Sequence, residues 1–528
     1  MASPRQAWQA AFLTATVGAL VSVAPGCGPD APPLTEAGGW GDPDATEYRI
    51  EALALTDVWV DPRRGNDANP GDTRSRALRT LAAAWRRIPA GAELSGAGYR
   101  VNLLAGRYPT ASIPVYWERR YGTAAYPIVI ESADGPHAAV LEAGINLFEC
   151  RHVHFLGVDV IPDPPGDAFH AERCRNLLLR DMRLSGGNRR AQETVKANQC
   201  RYVYVEDCDI AGAYDNAVDY VAVQNGWLLR NRIHDAGDWA VYVKGGSAYI
   251  RLEGNEIFDA GTGGFTAGQG TGMEFMTPPW LHYEAYGIRF VNNVVHDTDG
   301  AGMGVNGGYS VLLAHNTLYR VGQRSHVVEA VFGLRGCDGN TERCLRYLDL
   351  GGWGTATPGR EEPIPNRHVF VMNNLVYNPT GYQSRWQHFA IYGPRSPSAG
   401  SNIPSPAQAD DDLRIQGNLI WNGPKTHPLG IEGSDQGCRP DNPTCRAGQV
   451  RAENTINRLR PQLVSPETGN FRPQPGGNVF TVETPAIPAF SWSDLPRRPV
   501  VPPGRSQTSV RTNRDGAPRS FPDHPGAY

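Results

Sequence analysis

Along most of the chain a short apolar run ends in asparagine, resumes for a few residues, and stops at a glycine- or aspartate-rich turn. Examples are LLRNRIHDAG, IRLEGNEIFDAG, IRFVNNVVHDTDG, VLLAHNTLYRVG, VFVMNNLVYN and LRIQGNLIWNG. Short apolar runs bounded by turn residues predict strands rather than helices. One such unit cannot bury its own apolar side, so copies must stack on one another. The anchor falls at Asn231, Asn255, Asn293, Asn316, Asn374 and Asn418, and the same frame runs back through Cys208, Met182 and Val158. From Val158 onward the intervals are 24, 26, 23, 24, 38, 23, 58 and 44 residues. A basic repeat of about 24 residues is too short for a propeller blade and lacks the helix of a βαβ unit. It matches one three-sided coil of a right-handed parallel β-helix, whose strands pair with their equivalents ~4.8 Å above and below. Leucine-rich repeats share the period, but their LxxLxLxxN pattern does not recur, and β-branched residues dominate the apolar positions. The chain therefore reads as all-β, a right-handed parallel β-helix.

The same patterning sets the boundaries. Residues 1–27 hold Arg5 ahead of an apolar stretch and read as a signal peptide, with Cys27 a candidate lipid anchor. Residues 28–56 are a polar leader, 57–459 the β-helix, and 460–528 a proline-rich tail packed irregularly along the coil. Within SRALRTLAAAWRRIPAG the apolar Leu78, Leu81, Ala82 and Trp85 share one helical face, predicting a short helix that lids the open apolar end of the solenoid. The long intervals after Asn255, Asn316 and Asn374 carry insertions expected to wall one lateral groove. Aromatic residues concentrate in and beside them, among them Trp280 and Tyr283; these either bind sugar rings or seal the loops to the coil.

Composition adds export and removes some functions. Formal net charge is −4, which gives no support for nucleic-acid binding. Cys337 with Cys344 and Cys438 with Cys445 are close pairs expected to form loop disulfides, whereas Cys150, Cys174 and Cys200 recur once per turn and read as a column of inward thiols. With the signal segment, this predicts a monomer exported to the periplasm, outer membrane or extracellular space of a bacterium. Gly-rich stretches such as GTGGFTAGQGTG do not join a strand to a helix, so no dinucleotide site is expected.

Candidate chemistry lies in the charged columns. Asp215, Asp219, Asp235 and Asp238 crowd into YDNAVDY and HDAGDW; like charges on neighbouring coils need a cation, and calcium is the hard ion that suits carboxylates. The same aspartates also serve as turn formers. Lys244, one of only three lysines, follows this cluster and is the expected proton acceptor. Arg230 or Arg251 would pair a substrate carboxylate, and Trp239, Trp280 and Tyr283 would contact sugar. These parts suggest β-elimination from a uronic-acid polysaccharide. The alternatives are a glycoside hydrolase using Glu274 and Glu284 with His282 between them, or a non-catalytic glycan-binding or structural β-helix.

VDPRRGNDANPGD, the helix after it and VNLLAGRY resemble the start of secreted bacterial right-handed β-helix proteins of the pectate-lyase-like superfamily; the resemblance covers roughly residues 57–425 and appears again in the closing GAPRSFPDHPGAY. The resemblance implies the fold and polysaccharide as partner. The calcium, aspartate and lysine plan is similar to that of the calcium-dependent pectate lyases; the NTD, DD and RIK segments of polygalacturonases do not occur in that order.

Overall fold

A computed structural model describes residues 47–50, 54–492, 494, 508–520 and 522–528. The signal segment, Cys27 and most of the leader lie outside these residues. Each coil contributes one strand to each of three sides. One coil runs through Gln224–Leu229 on the first side, Arg232–Ala236 on the second and Trp239–Lys244 on the third. The next repeats this as Ser247–Glu253, Glu256–Ala260 and Gly263–Gly268. First-side strands form a 12-stranded sheet from Leu55–Val60 to Asp411–Gln416; the other two sides share a 21-stranded sheet. Pairing between coils is parallel and in register, so inward residues stack by type, as Ile233 on Ile257 and Val241 on Phe265. The result is the right-handed parallel β-helix expected from the repeat.

The anchor column explains why asparagine recurs. Asn231 Nδ2 donates to the Val205 carbonyl at 2.9 Å, and Asn255 Oδ1 accepts from the Asn231 backbone N–H at 2.9 Å. The same exchange passes through Asn293, Asn316, Asn374 and Asn418 and ends at Asn454, one coil beyond the last anchor read from the sequence. An amide supplies both a donor and an acceptor, so it satisfies backbone groups at a buried corner where the sheet ladder is interrupted. Cys150, Cys174 and Cys200 are free and buried, stacked as thiols; Cys337–Cys344 and Cys438–Cys445 are disulfides. Two closed disulfides in short loops are features of a protein matured in an oxidising, exported compartment.

The lid helix is Leu81–Arg87, capped by Thr80, whose hydroxyl accepts from the Ala83 N–H at 3.1 Å. It buries Leu81, Ala84 and Trp85, with Trp85 4.8 Å from the Trp117 ring, so the open end of the core is closed by aromatic surface. Ala82 is less buried than these, and Leu78 precedes the helix as a bridge to Val60. The described part of the proline-rich tail packs on the first side, where Ile487, Phe490, Trp492 and Val510 cover Leu312, Phe370 and Met372. Among the described residues no helix is long and apolar enough to cross a membrane.

Segments 269–284, 332–366 and 392–410 all leave at the corner between the third and first sides. Segment 378–388 leaves at the corner between the second and third sides. The third side is thus the one flanked by insertions.

Candidate active site

Because side chains alternate along a strand, two outward columns run up the third side. One contains His170, Lys196, Asp219, Tyr242, Thr266, Gly304 and Glu329 on successive coils. The other contains Glu172, Asn198, Val221 and Lys244, and continues through Gly268 and Asn306. Lys196 Nζ lies 2.8 Å from Glu193 Oε1 and 3.2 Å from Asp219 Oδ2. Burial works against its charge, but Asp219 and Glu193 outweigh burial and raise its pKa above the ordinary lysine value. Burial raises Glu193 despite the lysine. Asp219 is 1% exposed, and its second oxygen, Oδ1, is buried without a partner.

One coil on, Lys244 Nζ donates to the Tyr242 hydroxyl at 3.0 Å, lies 4.2 Å from the centre of that ring, and reaches Gln269 Oε1 at 3.4 Å. Tyr242 is held protonated: burial, then the carboxylates of Asp219, Glu193, Asp215 and Asp238, push its pKa well above 10. Asp215 and Asp238 follow one another at the adjoining corner, joined by the Asp238 N–H to Asp215 carbonyl bond at 2.9 Å. Burial and then the Asp238 charge raise the Asp215 pKa, against a hydrogen bond from Gln192 and the charges of Lys244 and Lys196, which lower it. Exposed Tyr214 and Phe275 stand at the two edges.

Of the expected site residues, Lys244, Asp215, Asp219 and Asp238 are brought to this one groove. Trp239 packs there too, against Tyr242, and the remaining expected residues lie elsewhere with structural tasks. Asp235 sits in the left-handed turn conformation, φ +59°, and pairs with Arg189 at 2.9 Å. Glu284 is fully buried: Arg335 lies 2.6 Å from Oε1, while Oε2 accepts from the Gly245 N–H at 2.9 Å and Thr271 at 2.7 Å. Glu274 accepts the Asp338 and Asn340 N–H groups at 3.0 and 2.9 Å, holding the Cys337–Cys344 loop. His282 donates from Nε2 to the Gly351 carbonyl at 2.9 Å, and burial pulls its pKa down to about 4. Arg230 chelates Asp207 at 2.8 Å, and Arg251 binds Glu253 at 2.6 Å on the first side. Trp280 and Tyr283 are each 3% exposed in an aromatic cluster with Tyr286, so these aromatics seal the loop to the coil. Trp239 is equally buried; a Cβ at residue 263 would lie 2.3 Å from its ring, which is why glycine occupies that coil. The Gly245–Gly246 pair forms the corner itself, at φ +66° and +80°, and is packed under Trp280.

The sequence reading missed Glu193, Lys196 and Tyr242. The signal was present: Lys196, Asp219 and Tyr242 are spaced by 23 residues, one coil each, and Lys196 is another of the three lysines.

The groove's acidic excess bears on calcium. Among the described residues, three-group clusters of metal-binding type occur only at Glu274 with Cys337 and Cys344, and at Asp410 with Cys438 and Cys445. In both, the sulfurs are tied in disulfides. Of the four expected ligands, Asp219 and Asp235 are ion-paired with Lys196 and Arg189, and among the described residues neither cluster includes Asp215 or Asp238.

Residues 167–329 match the sequence family described as the right handed beta helix region. This stretch is a β-helix region by sequence as well as by structure. It contains every residue of the Lys196–Tyr242–Lys244 groove. Solved structures similar to the chain include a rhamnogalacturonan lyase, 13% identical, covering 69% of this chain and 87% of that one, TM-score 0.38. Another is the A-module of the Azotobacter vinelandii mannuronan C-5 epimerase AlgE6, 11% identical over 64% and 89%, TM-score 0.37. A third is PfbA, a surface adhesin of Streptococcus pneumoniae, 9% identical over 65% and 85%, TM-score 0.37. At these identities the similarity concerns the fold alone. No curated protein matches the chain.

Proposed function

We propose that the third-side groove binds a uronic-acid-containing polysaccharide and breaks it by β-elimination, with Lys244 taking the proton from C5. The observation that carries this reading is the Lys244 amine held on the outward face against Tyr242, beside Asp215 and Asp238, where the insertions flank the coil. Lys196 is already engaged by Glu193 and Asp219, so Lys244 is the lysine left to meet substrate. Four carboxylates against two lysines would repel a polyuronate, and a calcium ion held by Asp215 and Asp238 would cancel that excess. Bound there, it would offset the sugar carboxylate and make the adjacent C–H more acidic. Tyr242 orients the lysine and, kept protonated, does not compete as a base.

Hydrolysis is the second reading, favoured by one observation: Asp215, raised by burial and by Asp238, has the character of a general acid beside a second carboxylate. The test is incubation of the purified protein with pectate, alginate and glycosaminoglycans, with calcium and with EDTA. Calcium-dependent ultraviolet absorbance of an unsaturated uronide supports elimination. New reducing ends without that absorbance support hydrolysis, and neither product would make the groove a glycan-binding surface.

A further inference from the structure

The outward column does not end at the reacting groups. From Tyr242 it continues through Thr266, Gly304 and Glu329 to Ala390, four coil steps or roughly 19 Å. At Ala390 the third side opens into a cavity of about 450 Å³ lined by Gln387, Tyr392, Arg395, Asp435 and Arg439 among others. That volume is within the range of small-ligand sites. The Arg395 guanidinium stacks 4.8 Å from the Tyr392 ring and 5.2 Å from Phe332, and among the described residues it makes no ion pair. Arg439 donates only to the Ser434 carbonyl, at 3.3 Å. The loop bearing it is fixed: Cys438 is bonded to Cys445, its N–H donates to Asp410 at 2.7 Å, and Gly437 and Gly393 join the loop to the third-side strand. Tyr392 and Trp386 are 42% and 60% exposed, offering ring faces at this end. Between the two centres Glu329 is engaged by His326 at 2.9 Å and Asn306 at 3.0 Å, and Asn306 by Thr266 at 2.7 Å, so the floor carries hydrogen-bonded groups throughout.

We propose that this arginine-lined cavity is a second subsite, which binds the carboxylate of an acidic sugar further along the same polysaccharide strand. The proposal rests on the reading of the groove as a polyuronate site and deepens it, extending the bound strand over several sugar units. Two arginines against one aspartate give this end the opposite sign to the reacting end. A planar guanidinium with unfilled donors, held over an aromatic ring, suits a carboxylate.

The experiment is calorimetric binding of decasaccharides of pectate, alginate and hyaluronan, and of their carboxyl-reduced forms, to the wild-type chain and to the Arg395→Gln/Arg439→Gln double variant. The expected result is that the acidic decasaccharide bound by the wild type is bound roughly 10-fold more weakly by the double variant, with the unfolding temperature unchanged. The reduced decasaccharide should not discriminate between the two proteins. Equal affinity of both proteins for the acidic chain, or no binding of any acidic chain, overturns the subsite. The two readings separate cleanly. Arginine-dependent binding without any unsaturated product leaves the subsite standing and removes elimination, whereas product formation with arginine-independent binding does the reverse.

Discussion

Glu284, in the first long insertion, and Asp219, on the third side, are both carboxylates with almost no exposure, 0% and 1%. They differ in what they touch. Every oxygen of Glu284 is spoken for by Arg335, Gly245 and Thr271, which ties a loop to the coil. Asp219 holds Lys196 with one oxygen and leaves the other without a partner, beneath an outward tyrosine and beside a second lysine. A buried charge with complete partners is a support; one with incomplete partners, in a column that faces a groove, marks where a ligand can complete it. The loop carboxylate is fully satisfied and the open one lies on the regular coil, the reverse of what their sequence character suggests.

The largest test of this contrast removes one half of the buried pair. Arg335→Met leaves Glu284 charged and unpaired, and should lower unfolding free energy by about 3–5 kcal/mol in urea titration. An unchanged midpoint would mean the loop is not anchored as described. Next is His282, whose pKa falls from the ordinary 6.5 to about 4 through burial. The unfolded chain binds a proton at His282 that the folded chain refuses, so stability is intact above about pH 6.5 and is lost as pH falls toward 4. His282→Gln should remove up to about 3 kcal/mol of that acid sensitivity, read by comparing the two proteins' unfolding curves at pH values across the window. On the groove side, Lys244→Ala should cut turnover by roughly 10²-fold, about 2.7 kcal/mol, while leaving the unfolding midpoint in place. A destabilised variant, or full activity, would put Lys244 with the supports instead. Smallest is Asn293→Ala, which strips one rung from the corner ladder and should cost about 1–2 kcal/mol by the same titration, with no specific effect on turnover.

Several features were legible in the chain because they repeat. The asparagine column, the stacked thiols and the position of the insertions follow from a period of about 24 residues imposed on parallel strands, and the lid helix from the helical spacing of its apolar residues. Asp215 and Asp238 were singled out through the same register, Asp219 by its place in YDNAVDY and Lys244 by the rarity of lysine. Glu274, His282 and Glu284 were assigned by residue type inside irregular loops, where no register exists, and the fold placed them in the interior.

Sequence by itself determined the solenoid, since an apolar unit that cannot close on itself must stack, and stacking fixes which residues share a column. Tertiary structure alone decided which carboxylates are satisfied and which are left open. That depends on partners dozens of residues away, Arg335 for Glu284 and Lys196 for Asp219, brought within 2.6 and 3.2 Å by the path of the loops and by the coil spacing.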